Sequence, residues 1–526
     1  MYQCPNCSGN MKFYIPSQML RCNYCATEMD PYAFRKEKDA EESAYFDVTI
    51  FTCPQCAGEL LSTENEATAF CSFCGAANIL TGRLSQEKRP VYILPFQKTK
   101  EDCKTAFSKM MKGAVYAPKE LKDATHIDGF RGIYMPYWFY NIEQKGPANL
   151  KGTKTYRRGD YVITDHYNLS CDVDGEYQGI PYDGSSSFAD NLSEAIAPFD
   201  LRKVKLFTPA FLSGFYADTA DVEKELYRSD ALDIATTKTY EKLKKQPAFK
   251  GITLKEDSSN MGKAYAINSS CSSIESAMLP VWFLSYRKGD RVAYATVNGQ
   301  TGKVAADLPV DPKKYLFGSL LTAIPIFVLL NLFFTVIPSV ALIVSMVLAM
   351  FTLLLHKIEL SQIVKRDTGE DDKGLMSKKK DFNSESSDKK KEKKSWKENK
   401  TTVIIVIFVC LNFGVQLLVP LIMMFGKALW LIALIVGIVF CCLSGSTLKK
   451  LTISKKKYGF LGSMASLIIA SLILLINPVS DYIYYAGVVV SIAAIFFSIY
   501  DLIYYYNILA TRKLPQFDRT GGDDRA

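Results

Sequence analysis

Eight of the fourteen cysteines fall into two copies of one pattern, and no other feature constrains the chain as tightly. Cys4-Pro5-Asn6-Cys7 is followed, after fourteen intervening residues, by Cys22-Asn23-Tyr24-Cys25. Cys53-Pro54-Gln55-Cys56 is followed, after the same interval, by Cys71-Ser72-Phe73-Cys74, so all four cysteines repeat at an offset of 49. A Cys-x2-Cys turn lets two thiolates reach one ion, and two such turns complete a tetrahedral zinc site. The spacing therefore predicts two small β zinc ribbons, at 1–30 and 50–82, joined by a charged linker over 31–49. Four protein ligands leave no position for a reacting water, so both zincs are expected to be structural, standing in for cores too small to fold alone.

The second constraint is hydropathy. Residues 316–355 hold no charged side chain. As helix they would extend roughly 60 Å, about twice the bilayer core. They read as a transmembrane hairpin turning near Ile337-Pro338-Ser339. Two further apolar blocks, 401–447 and 458–510, are broken only at Gly426-Lys427 and around Asn477-Pro478. The expectation is six transmembrane helices in three helical hairpins. A charged, disordered loop at 356–400 and a tail at 511–526 complete this part. Polar residues within the spans are few, namely Asn331, Asn412, Gln416 and Asp501.

Net charge, +9 overall, sorts by segment. Residues 1–90 carry −3, residues 91–315 carry +3, and residues 316–526 carry +9. Each zinc with four thiolates adds about −2 to the ribbons, so they repel phosphate and nucleic acid is a disfavoured partner. The excess of Lys and Arg brackets the apolar blocks, with fourteen against ten acids in 357–400. By the positive-inside rule both termini face the cytoplasm of a multi-pass protein in the cell membrane. Met1-Tyr2-Gln3-Cys4 has neither a basic nor an apolar leader region, so no cleavable signal is expected.

Between ribbons and spans, 90–315 reads as an α+β cytoplasmic domain rich in antiparallel strands. Thr99 is set to cap a helix running to about Lys112, with Cys103, Phe107 and Met110/Met111 on one face. Asp218/Thr219 is read as the start of a helix to about Lys245. Met135-Pro136-Tyr137-Trp138-Phe139-Tyr140 resembles Leu279-Pro280-Val281-Trp282-Phe283-Leu284. This is either a duplicated subdomain or two strands of one sheet, and the prolines suggest sheet edges or bulges. Gly299-Gln300-Thr301-Gly302-Lys303 has the wrong spacing for a phosphate loop and reads as a turn. His126, His166 and His356 are scattered. No catalytic constellation or cofactor-binding loop is present, so the chain is expected not to be an enzyme.

The two Cys quartets, Ala197-Pro198-Phe199-Asp200, Pro209-Ala210-Phe211-Leu212-Ser213-Gly214-Phe215, Leu279-Pro280-Val281-Trp282-Phe283 and Val297-Asn298-Gly299-Gln300-Thr301-Gly302-Lys303-Val304 carry a further signal. Through them the chain resembles a largely uncharacterised family of bacterial membrane proteins with zinc ribbons of the transcription-factor-IIB/rubredoxin type. The resemblance implies a membrane anchor that recruits a peripheral coat protein, under envelope stress. The expected function is thus a scaffold or adapter bringing a soluble cytoplasmic partner to the lipid bilayer, with self-association left open. The alternatives are a channel or transporter using Asp501, Asn412 and Gln416, and a membrane-tethered nucleic-acid binder.

Overall fold

The computed structural model describes residues 2–34, 45–62, 71–76, 81–123, 127, 129–247, 251–255, 267–333, 337–368, 372–374, 376 and 458–513. The first Cys quartet sits on a three-stranded antiparallel sheet of β1 (Met11–Tyr14), β2 (Met19–Cys22) and β3 (Glu28–Met29). The second does not stand alone. Its strands β4 (Tyr45–Thr52), β5 (Glu59–Ser62) and β6 (Thr81–Lys88) are part of a 13-stranded sheet that also contains the middle of the chain.

That sheet continues with β7 (Tyr92–Ile93), β8 (Arg131–Arg158), β9 (Tyr161–Asp183), β10 (Lys205–Leu206), β11 (Tyr216–Ala217), β12 (Thr253–Lys255), β13 (Ser269–Lys288), β14 (Arg291–Asn298), β15 (Val304–Ala306) and β16 (Arg512–Lys513). Its main path runs β10-β7-β13-β8-β11-β5-β4-β6. The two Pro-x-Trp-Phe strands, β8 and β13, are antiparallel neighbours at its centre, with Met135 opposite Leu279. Of the two readings of the repeat, two strands of one sheet is the one found.

The prolines are not at edges, which corrects the sequence expectation. Pro136 lies where the neighbour of β8 changes, from β11 at Ile133 and Tyr134 to β9 at Tyr137. Pro280 lies where the neighbour of β13 changes, from β7 at Ala277 and Met278 to β14 at Val281. A residue without an N–H costs nothing at a gap between two partners. Each proline carbonyl still accepts, from Gly184 N at 2.8 Å and from Gly299 N at 2.9 Å. A Cβ on Gly184 would come within 3.0 Å of Trp138 Nε1, and one on Gly299 within 2.6 Å of Phe96.

Helices cover this sheet. α1 (Lys100–Gly113) starts with the capping box expected at Thr99, completed by Asp102, and buries Cys103, Phe107 and Met111. α2 (Asp190–Ile196) packs near β14 and β15, and α3 (Arg228–Lys245) lays Ala231 and Ala235 against Tyr140, Ile142 and Ile180. The start expected at Asp218 is ten residues early. Asp218 is buried and accepts from Ser185 Oγ at 2.6 Å and from Ser187 Oγ, so its side chain has no helix end to cap.

The apolar part is corrected more substantially. The structure does not bear out six transmembrane helices. Among the described residues two helices are long and apolar enough to cross a bilayer, α6 (Tyr458–Ile476) and α7 (Asp481–Leu509), with Pro338–Ala349 a shorter apolar stretch. Freedom from charge over forty residues measures hydropathy and not the number of crossings. α4 (Pro312–Phe333) contains Lys313, Lys314 and an interior Pro325, and α5 (Pro338–Thr368) runs from its apolar start through Lys365 and Arg366. The hairpin expected over 401–447, with Asn412 and Gln416, lies outside the described residues.

α6 and α7 meet through small residues. Ser466 and Ser491 hydroxyls are 2.7 Å apart, Ser463 and Ser498 hydroxyls 3.2 Å. Gly459 N donates to Asp501 Oδ2 at 2.7 Å, which fixes Asp501 in helix packing. Their outer faces expose Leu461, Ile468, Leu475, Val489, Ile492 and Phe496. Asn477 adopts the left-handed conformation (φ 47°) that stops α6, and its Oδ1 accepts from Tyr484 Oη at 2.8 Å.

The hairpin is built onto the sheet. Arg512 in β16, which follows α7, pairs with Val292 of β14. Arg291 donates to Thr511 Oγ1 at 2.8 Å and to the carbonyls of Ile508 and Thr511 at 2.7 Å each, closing the C-terminal end of α7 with a cation. Asn507 exchanges two bonds with the backbone of Val310, at 2.6 and 2.8 Å. Part of the stretch expected to be a disordered loop is ordered: the helix α5 runs to Thr368, Asp372 is buried (2% exposed) 3.7 Å from Arg512, and Lys373 pairs with Asp230. Most of the remainder of that loop lies outside the described residues.

Candidate metal centres

All four Cys-x2-Cys turns adopt one backbone form. In each, the first cysteine N–H donates to a carbonyl five residues on: Cys4 to Gly9 (2.8 Å), Cys22 to Thr27 (2.9 Å), Cys53 to Gly58 (2.9 Å) and Cys71 to Ala76 (2.9 Å). Its carbonyl accepts from the N–H four residues on, that of Ser8, Ala26, Ala57 or Gly75. Those four residues are left-handed, with φ of 58°, 57°, 57° and 67°. Three are not glycine, and each such residue costs about 1–2 kcal/mol. Conformations of this kind persist where the surroundings over-determine the backbone.

The turns gather the expected ligands into two groups, Cys4, Cys7, Cys22, Cys25 and Cys53, Cys56, Cys71, Cys74, with the sulfurs of each within 4.8 Å of one another. None of the eight is in a disulfide. In the second group Cys53 and Cys74 sulfurs are 3.8 Å apart, Cys56 and Cys71 sulfurs 3.7 Å. Zinc with Zn–S bonds of about 2.3 Å has tetrahedral edges of about 3.8 Å, so this group fits the ion. The first is slightly tighter, with Cys7 3.3 Å from Cys25 and 3.4 Å from Cys22. Each group could therefore hold a zinc ion. Cys103, Cys171 and Cys271 belong to neither.

The surroundings of the two centres differ. The second is sealed, with its four cysteines at most 1% exposed. Phe73 from its second turn stands edge-on to Phe283 of β13, and Tyr294 Oη donates to the Phe73 carbonyl at 2.6 Å. Arg287 donates to Gln55 Oε1 at 2.9 Å. The first centre is half open. Cys4 and Cys22 face inward with Met11, Phe13 and Leu20, whereas Cys7 and Cys25 are exposed and Tyr24 beside them is 82% exposed. The Thr27 hydroxyl, 3.1 Å from Cys25 Sγ, draws that thiol down to about 6. The inward face is fixed to the middle of the chain by Phe13 N to Ser213 O (3.0 Å), Ser213 Oγ to Met11 O (2.7 Å) and the Phe13–Phe211 ring contact.

Of two buried acids, Asp183 was not singled out from sequence and Asp218 was read only as a helix start. Asp183 ends β9 opposite Tyr137, and burial, reinforced by Asp190, pushes its carboxyl well above the usual range. Burial likewise pushes Asp218 up to about 6, against the pull of the Ser185 and Ser187 hydroxyls. Asp183-Gly184 and Asn298-Gly299 hold equivalent places in the sheet, opposite Tyr137 and Val281, but lie at different distances from their Trp-Phe pairs, so no sequence signal marked Asp183. The turn after Asn298 is the one expected. Asn298 Oδ1 accepts from Gln300 N and Thr301 N at 2.8 and 2.9 Å, leaving those amides no role in holding phosphate. His166 lies on β9 across from Thr153, His356 is in α5, and His126 lies outside the described residues.

No family model matches the chain, and no solved structure matches it. A curated protein of Bacillus subtilis, described as uncharacterized protein YdjG, is 31% identical to it over 318 residues, 60% of this chain and 91% of that protein.

Proposed function

The chain belongs to the family of Bacillus subtilis YdjG, and on that footing we propose a non-enzymatic, membrane-anchored scaffold that recruits a soluble cytoplasmic partner to the bilayer. Zinc in both Cys4 centres is structural in this reading. The observation that carries it is the join between β16 and β14. An apolar hairpin with lipid-compatible outer faces runs directly into the sheet and is clamped there by Arg291. Such a join holds a β platform at a fixed attitude to a membrane, which suits a docking surface. The lysines and arginines around the apolar segments favour cytoplasmic termini.

The test is crosslinking in intact cells followed by membrane fractionation and mass spectrometry. The chain should stay in the pellet after alkaline carbonate, and a soluble protein should be crosslinked to the ribbons or sheet. Release by carbonate removes the anchor. Retention without any soluble crosslinked protein removes recruitment.

A further inference from the structure

The two centres have the same ligands and the same turns, yet one is sealed and the other presents two of its sulfurs to solvent. We propose that Cys7 and Cys25 form an oxidation site, at which a peroxide-class oxidant converts the zinc-bound pair to a disulfide and releases one zinc per chain. The second centre stays intact.

Coordination to zinc keeps thiolate character on sulfur, so an exposed zinc thiolate remains a nucleophile. Cys7 and Cys25 are adjacent, with their sulfurs 3.3 Å apart, and both are exposed. In the first step one thiolate attacks a peroxide oxygen. The O–O bond breaks, hydroxide leaves, and that cysteine becomes a sulfenic acid. In the second step the other thiolate attacks the sulfenic sulfur, expelling a second hydroxide as the S–S bond forms. Two electrons pass from the sulfurs to the peroxide, and two protons from solvent turn the hydroxides into water. The zinc keeps only Cys4 and Cys22, half of its tetrahedron, and dissociates.

The second centre is excluded by access. Cys53, Cys56, Cys71 and Cys74 are at most 1% exposed, and Phe73, bonded to Tyr294, sits among them. A peroxide must open that packing before it touches sulfur. At the first centre the inward pair is tied to the β1–β2 hairpin, whose seating on Ser213 and Phe211 uses no sulfur. Thiol reductant and zinc should therefore restore the site without refolding the chain.

The proposal rests on zinc occupancy, which the same experiment measures first. Full-length protein in nanodiscs is analysed for metal, treated with increasing hydrogen peroxide, and followed by a chromogenic zinc chelator and peptide mass spectrometry. The expected result is two zincs before treatment and one released by peroxide. A Cys7–Cys25 disulfide should appear in step with release, and dithiothreitol with zinc should reverse it. A starting content below two overturns the zinc reading and the proposal together. Two zincs with no release, at peroxide that fully oxidises free cysteine, overturn the proposal alone. So does simultaneous loss of both ions, or a disulfide within the second group.

Discussion

Replacing Arg291 with methionine keeps an unbranched apolar stem and deletes the guanidinium that joins the apolar hairpin to the sheet. Three bonds at 2.7–2.8 Å are lost, and the carbonyls of Ile508 and Thr511 lose their donor. A hydrogen bond to a charged group contributes about 1.5–3 kcal/mol when well buried. Here the side chain is only partly buried and the three bonds share one guanidinium, so solvent and non-additivity cut the total to about 2–3 kcal/mol. At 1.4 kcal/mol per tenfold, opening of the α7–β16 junction should increase roughly 30- to 150-fold. Hydrogen–deuterium exchange of the nanodisc-bound protein reads this directly. Amides of 508–513 should lose protection by that factor, while the β8–β13 pair at the sheet centre is unchanged. Arg291→Lys, with a point charge in place of a fork, should recover part of the protection. Unaltered exchange at 508–513 in Arg291→Met would refute the clamp.

Two further perturbations test other parts of the structure. For Asp218 the folded carboxyl, near 6, holds its proton more tightly than the unfolded one, near 3.9. The folded state therefore gains stability as pH falls from about 6 to 4, and loses up to about 3 kcal/mol as pH rises back through that window. Asp218→Asn should flatten this part of the difference curve, as measured by denaturant titration at several pH values, and parallel curves for the two proteins would count against it. Ser466→Leu places a large side chain where two hydroxyls meet at 2.7 Å. It should cost about 1–3 kcal/mol of hairpin packing and widen the distance between spin labels at positions 472 and 485. An unchanged distance distribution would show that this contact does not hold the helices together.

How much was legible in the sequence followed how local each determinant is. The eight ligands could be read because a Cys-x2-Cys turn brings its two sulfurs together within six residues of backbone. Thr99 could be read for the same reason, since its capping partner is Asp102. Pro136 and Pro280 were misassigned because the rule about edges presumes one continuous neighbour on each side of an interior strand, while long strands such as β8 change partner along one side. Asp218 was misassigned because Ser185 and Ser187, its partners, lie about thirty residues away. Asp372 sits in a stretch whose composition is that of a solvated loop, and only the fold brings Arg512 beside it. Ribbon spacing likewise gave no sign that the second cysteine unit would lend its strands to the large sheet, or that the first would be half open.

The pairing of β16 with β14 also has a consequence in time. Its contacts join residues separated by as many as 222 positions in the chain, Arg291 and Lys513. At roughly 5–20 residues per second, synthesis of that interval takes roughly 10–45 s. Throughout it the Arg291 end of β14 is an open edge, a site where an unfinished chain can pair with the wrong strand. It is closed by residues that arrive only after α6 and α7 have been made. The order of synthesis therefore places completion of the β platform after that of the hairpin, conditional on the hairpin having found its place.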